Sequence, residues 1–364
     1  MNLRDRIVVV GGYGQVGQTI CNRLSELYPG KVYAAGRSLE RAERFSRATG
    51  GKVKPLKLDV RGELDPHILE RTQLVVMCLD QADTRFIRDC FANGIHYVDI
   101  SADYSFLAQA EQCHAAAIDG RATAVLSVGL APGLTNLMAR HAQSRLDRAD
   151  RLDISILLGL GDRHGRAAIE WTIDNLNGRY KVVQGGGERE VASFTDGRTT
   201  DFGAKLGRRK AYRFNFSDQH VLPRTLGIPT VSTRLCFDSA AVTRGLAGLK
   251  ATGMLRLLKY RPVRQAAVGG FGRIRMGKDG FAVKIDAGGL KEGRQMLAEC
   301  LVQGRNEAAF TGRIAAAVAA ALYRSEYPPG VHHIEQLFEL ESVLDAMGGI
   351  DTAETRLSAA DSLV

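Results

Sequence analysis

Residues 7–10, Ile-Val-Val-Val, run straight into Gly11-Gly12-Tyr13-Gly14-Gln15-Val16-Gly17, and a helical stripe begins at once. A β-branched run, a Gly-x-Gly-x-x-Gly loop starting at Gly12 and an amphipathic helix, in that order, constrain the fold of this chain more than any other feature in it. Gly12 permits a tight turn, Gly14 lets backbone approach a pyrophosphate, and Gly17 lets helix and strand pack closely. Val16, Ile20, Leu24 and Leu27 follow at spacings of four, four and three, which puts them on one helix face against a sheet. The start of that helix offers backbone N–H groups and the positive end of its dipole to phosphates. Residues Gly12, Tyr13, Gly14, Gln15, Val16 and Gly17 are therefore read as the cradle of a dinucleotide.

The same texture continues to about residue 130. Apolar runs at 7–10, 31–35, 53–58, 74–79, 97–100 and 124–128 alternate with helical-period segments, which predicts a parallel sheet covered on both faces: a doubly wound α/β domain. After Ala131-Pro132-Gly133 the pattern changes to alternating strands, as at 152–156, and to turn-rich stretches such as Gly185-Gly186-Gly187 and Asp196-Gly197-Arg198. This predicts a second, mixed α/β (α+β) domain with helices near 165–177 and 240–259 and a strand at 281–285. An Ala-rich stretch at 306–323 predicts a long buried helix. The division expected is 1–130, 131–304 and a C-terminal helical segment, 305–364.

The end of the second strand bears on which dinucleotide is held. An NAD site ends that strand with Asp or Glu to bind the ribose 2′-hydroxyl, but here it reads Ala34-Ala35-Gly36-Arg37-Ser38. Arg37 and Ser38, helped by Arg41, suit a 2′-phosphate through charge-assisted and hydroxyl hydrogen bonds, so NADP is predicted over NAD. Asp59, followed by Val60, ends the third run, where its carboxylate either accepts from the adenine amino group or caps a helix. Cys78, Leu79 and Asp80 end the fourth, at the rim where ligands of open α/β sheets bind. Cys78 lacks a nearby His partner and reads as a core thiol with backbone contact to the cofactor.

Composition narrows the remaining classes. The chain has 364 residues, 45% hydrophobic and 24% charged, which is globular and amounts to about two domains. No apolar run approaches the roughly 18 residues needed to span a bilayer, and the run at 7–10 is too short for a signal peptide, so a cytoplasmic protein without a membrane partner is expected. The six cysteines form no C-x-x-C pair and no zinc spacing, which predicts reduced thiols and no metal. The net charge of +9 is read as spread along the chain. Basic clusters at 205–213 and 256–264 come without a nucleic-acid-binding motif and read as solvated faces.

Four segments resemble the saccharopine dehydrogenase-like (saccharopine reductase) oxidoreductases: 8–17, 35–38, Tyr97-Val98-Asp99-Ile100-Ser101-Ala102-Asp103, and Val128-Gly129-Leu130-Ala131-Pro132-Gly133-Leu134. Tyr327-Pro328-Pro329-Gly330-Val331 and the Ala-rich helix before it are similar to that family's C-terminal portion. The resemblance implies a Rossmann domain, an inserted domain with a mixed sheet, a C-terminal segment returning to the cofactor domain, NAD(P), a homodimer, and hydride transfer at a C–N bond of an amino-acid-like substrate. It also implies that Gly129, Ala131, Pro132 and Gly133 form a hinge loop beside the nicotinamide, with Asp99, Ser101 and Asp103 at the end of the fifth strand.

Imine reduction needs a proton source and, for an amino acid, an anion clamp. Asp103, Tyr104 and His220 are candidate proton-transfer groups, and Arg179 and Arg224 candidate carboxylate clamps. Each has a structural rival: Asp103 as a helix cap, His220 as a satisfied histidine, the arginines as solvated charge, and Trp171 as packing instead of a shelf for a small-molecule substrate. Two other functions stay open, a trans-acting enoyl reductase served by an acidic acyl-carrier partner and a non-catalytic NADP-binding regulator.

Overall fold

The computed structural model describes residues 4–349 and 352–359, apart from 63–64, 163–164, 272–276 and 278. The described chain divides into two units, one within 1–134 and 308–349 and the other within 135–307 and 350–364. The C-terminal segment thus contributes to both: its helix joins the first unit and its last strand the second.

In the first unit each of the six apolar runs is a strand: β1 (Arg6–Val10), β2 (Val32–Gly36), β3 (Lys54–Lys57), β4 (Thr72–Met77), β5 (His96–Asp99) and β6 (Thr123–Leu126). With the late strand Gly330–His333 they form one parallel sheet, in the order Gly330–His333, β6, β5, β4, β1, β2, β3. The chain winds outward from β1 to β3, then restarts on the other side at β4. That reversal opens a crevice beyond the carboxyl ends of β1 and β4, where open α/β sheets hold ligands. Both sheet faces are buried over the central strands, which is why these read as largely apolar runs, whereas the edge strand β3 exposes Lys54 and Lys57. Val8, Val10, Val75 and Met77 pack with Phe86, Phe91, Tyr97 and Phe106 in one core cluster, while Ile7 and Val9 are also fully buried.

The helix α1 (Gln15–Leu27) buries Gly17, Ile20, Cys21, Leu24 and Ser25. Leu27, expected on this face, is 55% exposed. The buried stripe is centred between Ile20 and Cys21, so a residue seven positions after Ile20 lies on the flank of the last turn. Helix Glu307–Arg324 packs against α1 through Gly312, where a Cβ would stand 2.7 Å from Thr19 Cβ and 3.0 Å from the Val16 carbonyl oxygen.

The second unit carries a seven-stranded mixed sheet. Its order is Arg198–Asp201, Arg208–Arg213, Val231–Phe237, Arg148–Leu158, Gly280–Lys291, Arg294–Arg305, Thr352–Ala359. Val231–Phe237 runs parallel to Arg148–Leu158, and the other neighbours pair antiparallel. Arg179–Gln184 and Gly187–Ala192 form a separate hairpin. All six cysteines are free thiols. Among the described residues no helix is long and apolar enough to cross a membrane.

The tightest point of the first unit is the contact between α1 and the glycine loop. A Cβ on Gly17 would press on the Gly11 carbonyl oxygen and stand 2.7 Å from Gly12 Cα. Because those neighbours are backbone, Gly17→Ala is expected to cost about 1–3 kcal/mol of stability, measured by urea denaturation. Unchanged stability would show that the loop can move aside.

Candidate functional site

The glycine loop divides its labour differently from the sequence expectation. The turn is made by Gly11, at φ +78°, whose N–H donates to the Ala35 carbonyl at 2.8 Å. Gly12 is there for proximity: a Cβ on it would lie 2.7 Å from the Val9 carbonyl oxygen and 2.8 Å from Ala34 Cα. Gly14 is the N-cap of α1, brings no capping side chain, and is followed by a first turn without an acidic residue. The positive end of α1 therefore faces the crevice with no carboxylate of its own to compete with a phosphate. Gln15 and Val16 open the helix, Gln15 exposed and Val16 half-buried.

The tip of β2 is organised by Tyr13. Its ring lies against Gly36, with Cζ 2.7 Å from where a Cβ would be, and its hydroxyl accepts from the Ser38 N–H at 3.2 Å. The Arg41 guanidinium stands over the ring, 4.9 Å from its centroid. Ser38 Oγ caps helix Leu39–Ala48 by accepting from the Arg41 N–H, and Arg37 is exposed at the strand end. Arg41, the Ser38 hydroxyl and a helix N-terminus thus meet beside the tip of β2, with Arg37 exposed at its end; the one acid of that helix's first turn, Glu40, is paired with Arg44 at 2.7 Å. That donor set fits a ribose 2′-phosphate, and the strand itself ends without the carboxylate that would hold a 2′-hydroxyl.

Further round the crevice, Asp59 is exposed and one of its oxygens accepts from the Arg61 N–H at 3.0 Å, so it closes a turn, with Val60 packed against the core. The Cys78 N–H donates to the Val10 carbonyl at 3.0 Å, and burial pushes its thiol far up, which removes it as a nucleophile. Leu79 reaches over Gly11, and Asp80 is exposed beside it. Ser101 is buried, and its Oγ accepts from the Asp103 N–H at 3.3 Å. Asp103 caps helix Tyr104–Glu111, accepting from the Ser105 N–H at 2.8 Å, and Tyr104 is half-buried in its first turn.

The loop after β6 folds back on itself. The Leu134 N–H donates to the Gly129 carbonyl at 2.7 Å, and the Leu130 N–H donates to Thr311 Oγ1 at 3.2 Å. Pro132 and Gly133 are buried, Ala131 half-buried. A Cβ on Gly129 would meet the Pro132 carbonyl oxygen at 3.2 Å.

Two side-chain networks escaped the sequence reading. Ser127, at φ +56°, hydrogen-bonds His333 Nδ1 at 2.8 Å, and His333 Nε2 meets Glu111 Oε1 at 3.0 Å. Asp99 is fully buried at the end of β5 and accepts from Tyr97 Oη at 2.9 Å, Gln81 Nε2 at 3.2 Å and the Ser101 N–H at 2.7 Å. Gln81 Nε2 also donates to Tyr97 Oη at 2.6 Å, and Gln81 Oε1 has no hydrogen-bond partner among the described residues. The sequence carried Tyr97-x-Asp99, two polar-capable residues on one face of a buried strand, and the resemblance put Asp99 and Ser101 at the strand end, but nothing pointed to Gln81.

The other candidates lie in the second unit. Trp171 packs edge-on to Phe214, with centroids 5.6 Å apart, and against Phe216. Asn175 Nδ2 donates to the Trp171 carbonyl at 2.9 Å, Asn215 Nδ2 donates to Asn175 Oδ1 at 3.2 Å, and Asn215 Oδ1 meets His220 Nε2 at 2.8 Å. Because that oxygen accepts, His220 carries its proton on Nε2 and its lone pair on Nδ1. Burial and the nearby Arg224 lower His220 to about 4, so its ring is neutral near pH 7. Trp171, His220 and Arg224 are thus parts of one cluster. Arg179 is exposed on the hairpin and spends its guanidinium on Glu190 at 2.8 Å.

Residues 7–125 are matched by the family model of the saccharopine dehydrogenase NADP binding domain. Among solved structures, the chain is similar to apo saccharopine dehydrogenase (L-Glu forming) from Saccharomyces cerevisiae, with 14% identity over 98% of this chain and 100% of that one and a TM-score of 0.69. It is also aligned, at a TM-score of 0.49 and 11% identity over 93% of this chain and 98% of that one, with amine dehydrogenase from Mycobacterium smegmatis. No curated protein matches the chain.

Burial pushes Asp99 up to about 7 against its three donors. Its folded-state value lies above the unfolded one, so the native state binds the extra proton between about pH 4 and 7. Stability is expected to fall as pH rises through that window, by up to a few kcal/mol, and Asp99→Asn to flatten the slope. Urea denaturation at a series of pH values reads it, and an equal slope in both proteins would mean that Asp99 stays ionised throughout.

Proposed function

We propose, from a chain whose residues 7–125 belong to the saccharopine dehydrogenase NADP binding domain family, an NADP-dependent oxidoreductase that acts at a C–N bond of an amino-acid-like substrate. The observation that carries the cofactor half is the tip of β2, where the strand ends in Arg37 and Ser38 without a carboxylate, Arg41 stands over Tyr13, and Glu40 is paired with Arg44. NADP, when bound, exchanges a hydride with a carbon of the substrate. Gly12 and Gly17 let the loop and α1 close on β2 and on Gly11, Gly14 lets backbone approach the pyrophosphate, and the start of α1 neutralises its charge. Arg37 and Arg41 take the 2′-phosphate. Asp59 and Val60 border the adenine, and Leu79, Asp80, Ser101 and the loop containing Gly129, Ala131, Pro132 and Gly133 border the nicotinamide half.

For the substrate, the reading rests on the polar character of the second unit's cluster. His220 and Arg224 lie four residues apart on helix Asp218–Thr225 and so share a face. A guanidinium beside a neutral imidazole suits a carboxylate next to an amine. Of the two arginines expected as clamps, we assign Arg224, since Arg179 is already paired. His220 accepts a proton more readily than it donates one at neutral pH, which suits the amine-oxidising direction; Asp103 and Tyr104 are the groups left to supply a proton in the other. An enoyl reductase for a carrier-bound lipid calls for an apolar pocket, and the Asn175, Asn215, His220 row favours the amino-acid reading.

Fluorescence titration tests the first half. Arg37→Ala is expected to weaken NADPH binding roughly 10- to 100-fold and to leave NADH nearly unchanged. Equal loss for both nucleotides would place Arg37 outside the 2′-phosphate site. For the second half, NADPH consumption is followed with pairs of keto acids and amines. Arg224→Ala is expected to raise KM for the acid roughly 10- to 100-fold with kcat little changed. Tight NADPH binding with no turnover on any pair would support the non-catalytic reading instead.

A further inference from the structure

Residues 239–278 contain nine lysines and arginines and no aspartate or glutamate. That equals the net charge of the whole chain, +9, so the remaining residues balance to zero. The excess is therefore concentrated in one segment and not spread along the chain as its total suggested. The same segment holds half of the large apolar side chains that stand exposed among the described residues: Leu249, Met254, Leu257, Tyr260 and Val263, at 37–53% exposure.

The local geometry sorts the two kinds of residue. The segment runs through helix Ala240–Ala251, a 3₁₀ turn Met254–Lys259 and helix Arg261–Phe271. In a 3₁₀ helix residues three apart stack in rows. Leu255 is buried and Leu258 half-buried, so that row faces inward. Met254, Leu257 and the capping Tyr260 make a second, exposed row that Val263 continues. Arg256 and Lys259 make the third, with the Lys259 ammonium 5.0 Å from the Tyr260 ring centroid. Helix Arg261–Phe271 buries none of its residues.

Two bases fasten the segment to its own unit: Arg264 pairs with Asp174 at 2.6 Å, and Lys250 Nζ reaches Asn177 Oδ1 at 2.8 Å. Arg244, Arg256, Lys259 and Arg261 form no ion pair among the described residues. The uncompensated field is felt locally, since burial and then Arg179 and Arg256 depress the pKa of Lys250.

We propose that this ridge docks the protein on an anionic lipid surface, with Met254, Leu257, Tyr260 and Val263 dipping below the headgroups and the flanking bases on the lipid phosphates. A row of side chains standing out from a helical turn is convex. A soluble acidic partner would have to supply a matching groove, whereas a bilayer interface closes around apolar side chains of any outline. Tyr and Lys also suit the interface, with apolar bodies and polar ends. The expectation of no membrane partner came from the absence of a spanning run, which does not bear on binding at the surface.

Co-sedimentation of the full chain with phosphatidylcholine vesicles, with and without phosphatidylserine, at low and high salt, tests the proposal. Binding is expected to require phosphatidylserine and to fall with salt. Arg256→Gln with Lys259→Gln is expected to weaken it roughly thirtyfold, and Met254→Ser with Leu257→Ser to abolish it at low and high salt alike. Both pairs of positions are exposed, and a thermal unfolding curve matching that of the parent protein reports that each variant is folded. No sedimentation, equal binding to neutral vesicles, or binding untouched by both variants would overturn the proposal. Retention on polyglutamate without vesicle binding would overturn it in favour of an acidic protein partner.

Discussion

Backbone meeting backbone at the glycine loop is the contact on which the rest of the first unit depends. Gly12 lies against Ala34 of β2 and Gly17 against Gly11, with no room for a single carbon at either place. This proximity fixes the angle at which α1 leaves β1, and so the direction of its dipole across the crevice. It also places the tip of β2 close enough for Tyr13 to bridge from the loop to Ser38. One tight contact therefore sets the pyrophosphate end and the 2′ end of the same ligand. Gly312 repeats the device on the outer side of α1, where the C-terminal helix closes in on Thr19.

The second unit is held by the opposite means. Its sheet buries Asp153 beside Arg151, Arg198 and Arg234, with Ser232 Oγ donating to it at 2.6 Å. Burial alone would raise this carboxyl, but the arginines hold it at about 2. A carboxylate surrounded by three guanidinium groups is satisfied only in one register of its neighbours. Such a network specifies strand pairing more than it adds stability, because every member must be desolvated to form it. Asp99 in the first unit has no cation beside it and rises instead. The contrast shows what decides the charge state of a buried acid here: both accept hydrogen bonds, and the nearby positive charge makes the difference.

These two constructions explain how far the sequence could be read. The central strands were legible because both faces of a parallel sheet are buried, so they read as largely apolar runs; β3, at the sheet edge, showed itself only through Val53, Leu56 and Leu58 among lysines. The phosphate cradle was legible because a glycine forced by backbone proximity admits no substitute. Even there the reading misplaced the turn by one residue, since a glycine needed for φ and a glycine needed for space look alike in sequence, and Gly11 and Gly12 are adjacent. The Asp99 and His333 networks were illegible. His333 and Glu111 are separated by more than 200 positions, and nothing local to either residue announces the other. The polar cluster of the second unit was half legible: Trp171, His220 and Arg224 were singled out, but Asn215, which hydrogen-bonds His220, and Asn175 carry no motif.

The distribution of charge bears on the division of work between the units. A chain at +9 that binds an anionic dinucleotide invites the inference that its charge serves that ligand. Yet the residues of the first unit contain more acids than bases once the whole of 308–349 is counted with them. In the proposed reading the cofactor's phosphates are met by local devices, the start of α1 and the bases Arg37 and Arg41 near the tip of β2, which act at hydrogen-bond range and need no net charge behind them. A long-range field is a poor means of placing a phosphate, because salt screens it within about 10 Å, but a good means of holding a surface to a surface. The excess bases lie where no acid stands within 40 consecutive residues and where apolar side chains share their exposure. Charge concentrated in one segment, beside exposed apolar side chains, is what the proposed second anionic partner would recognise, by area and not by position.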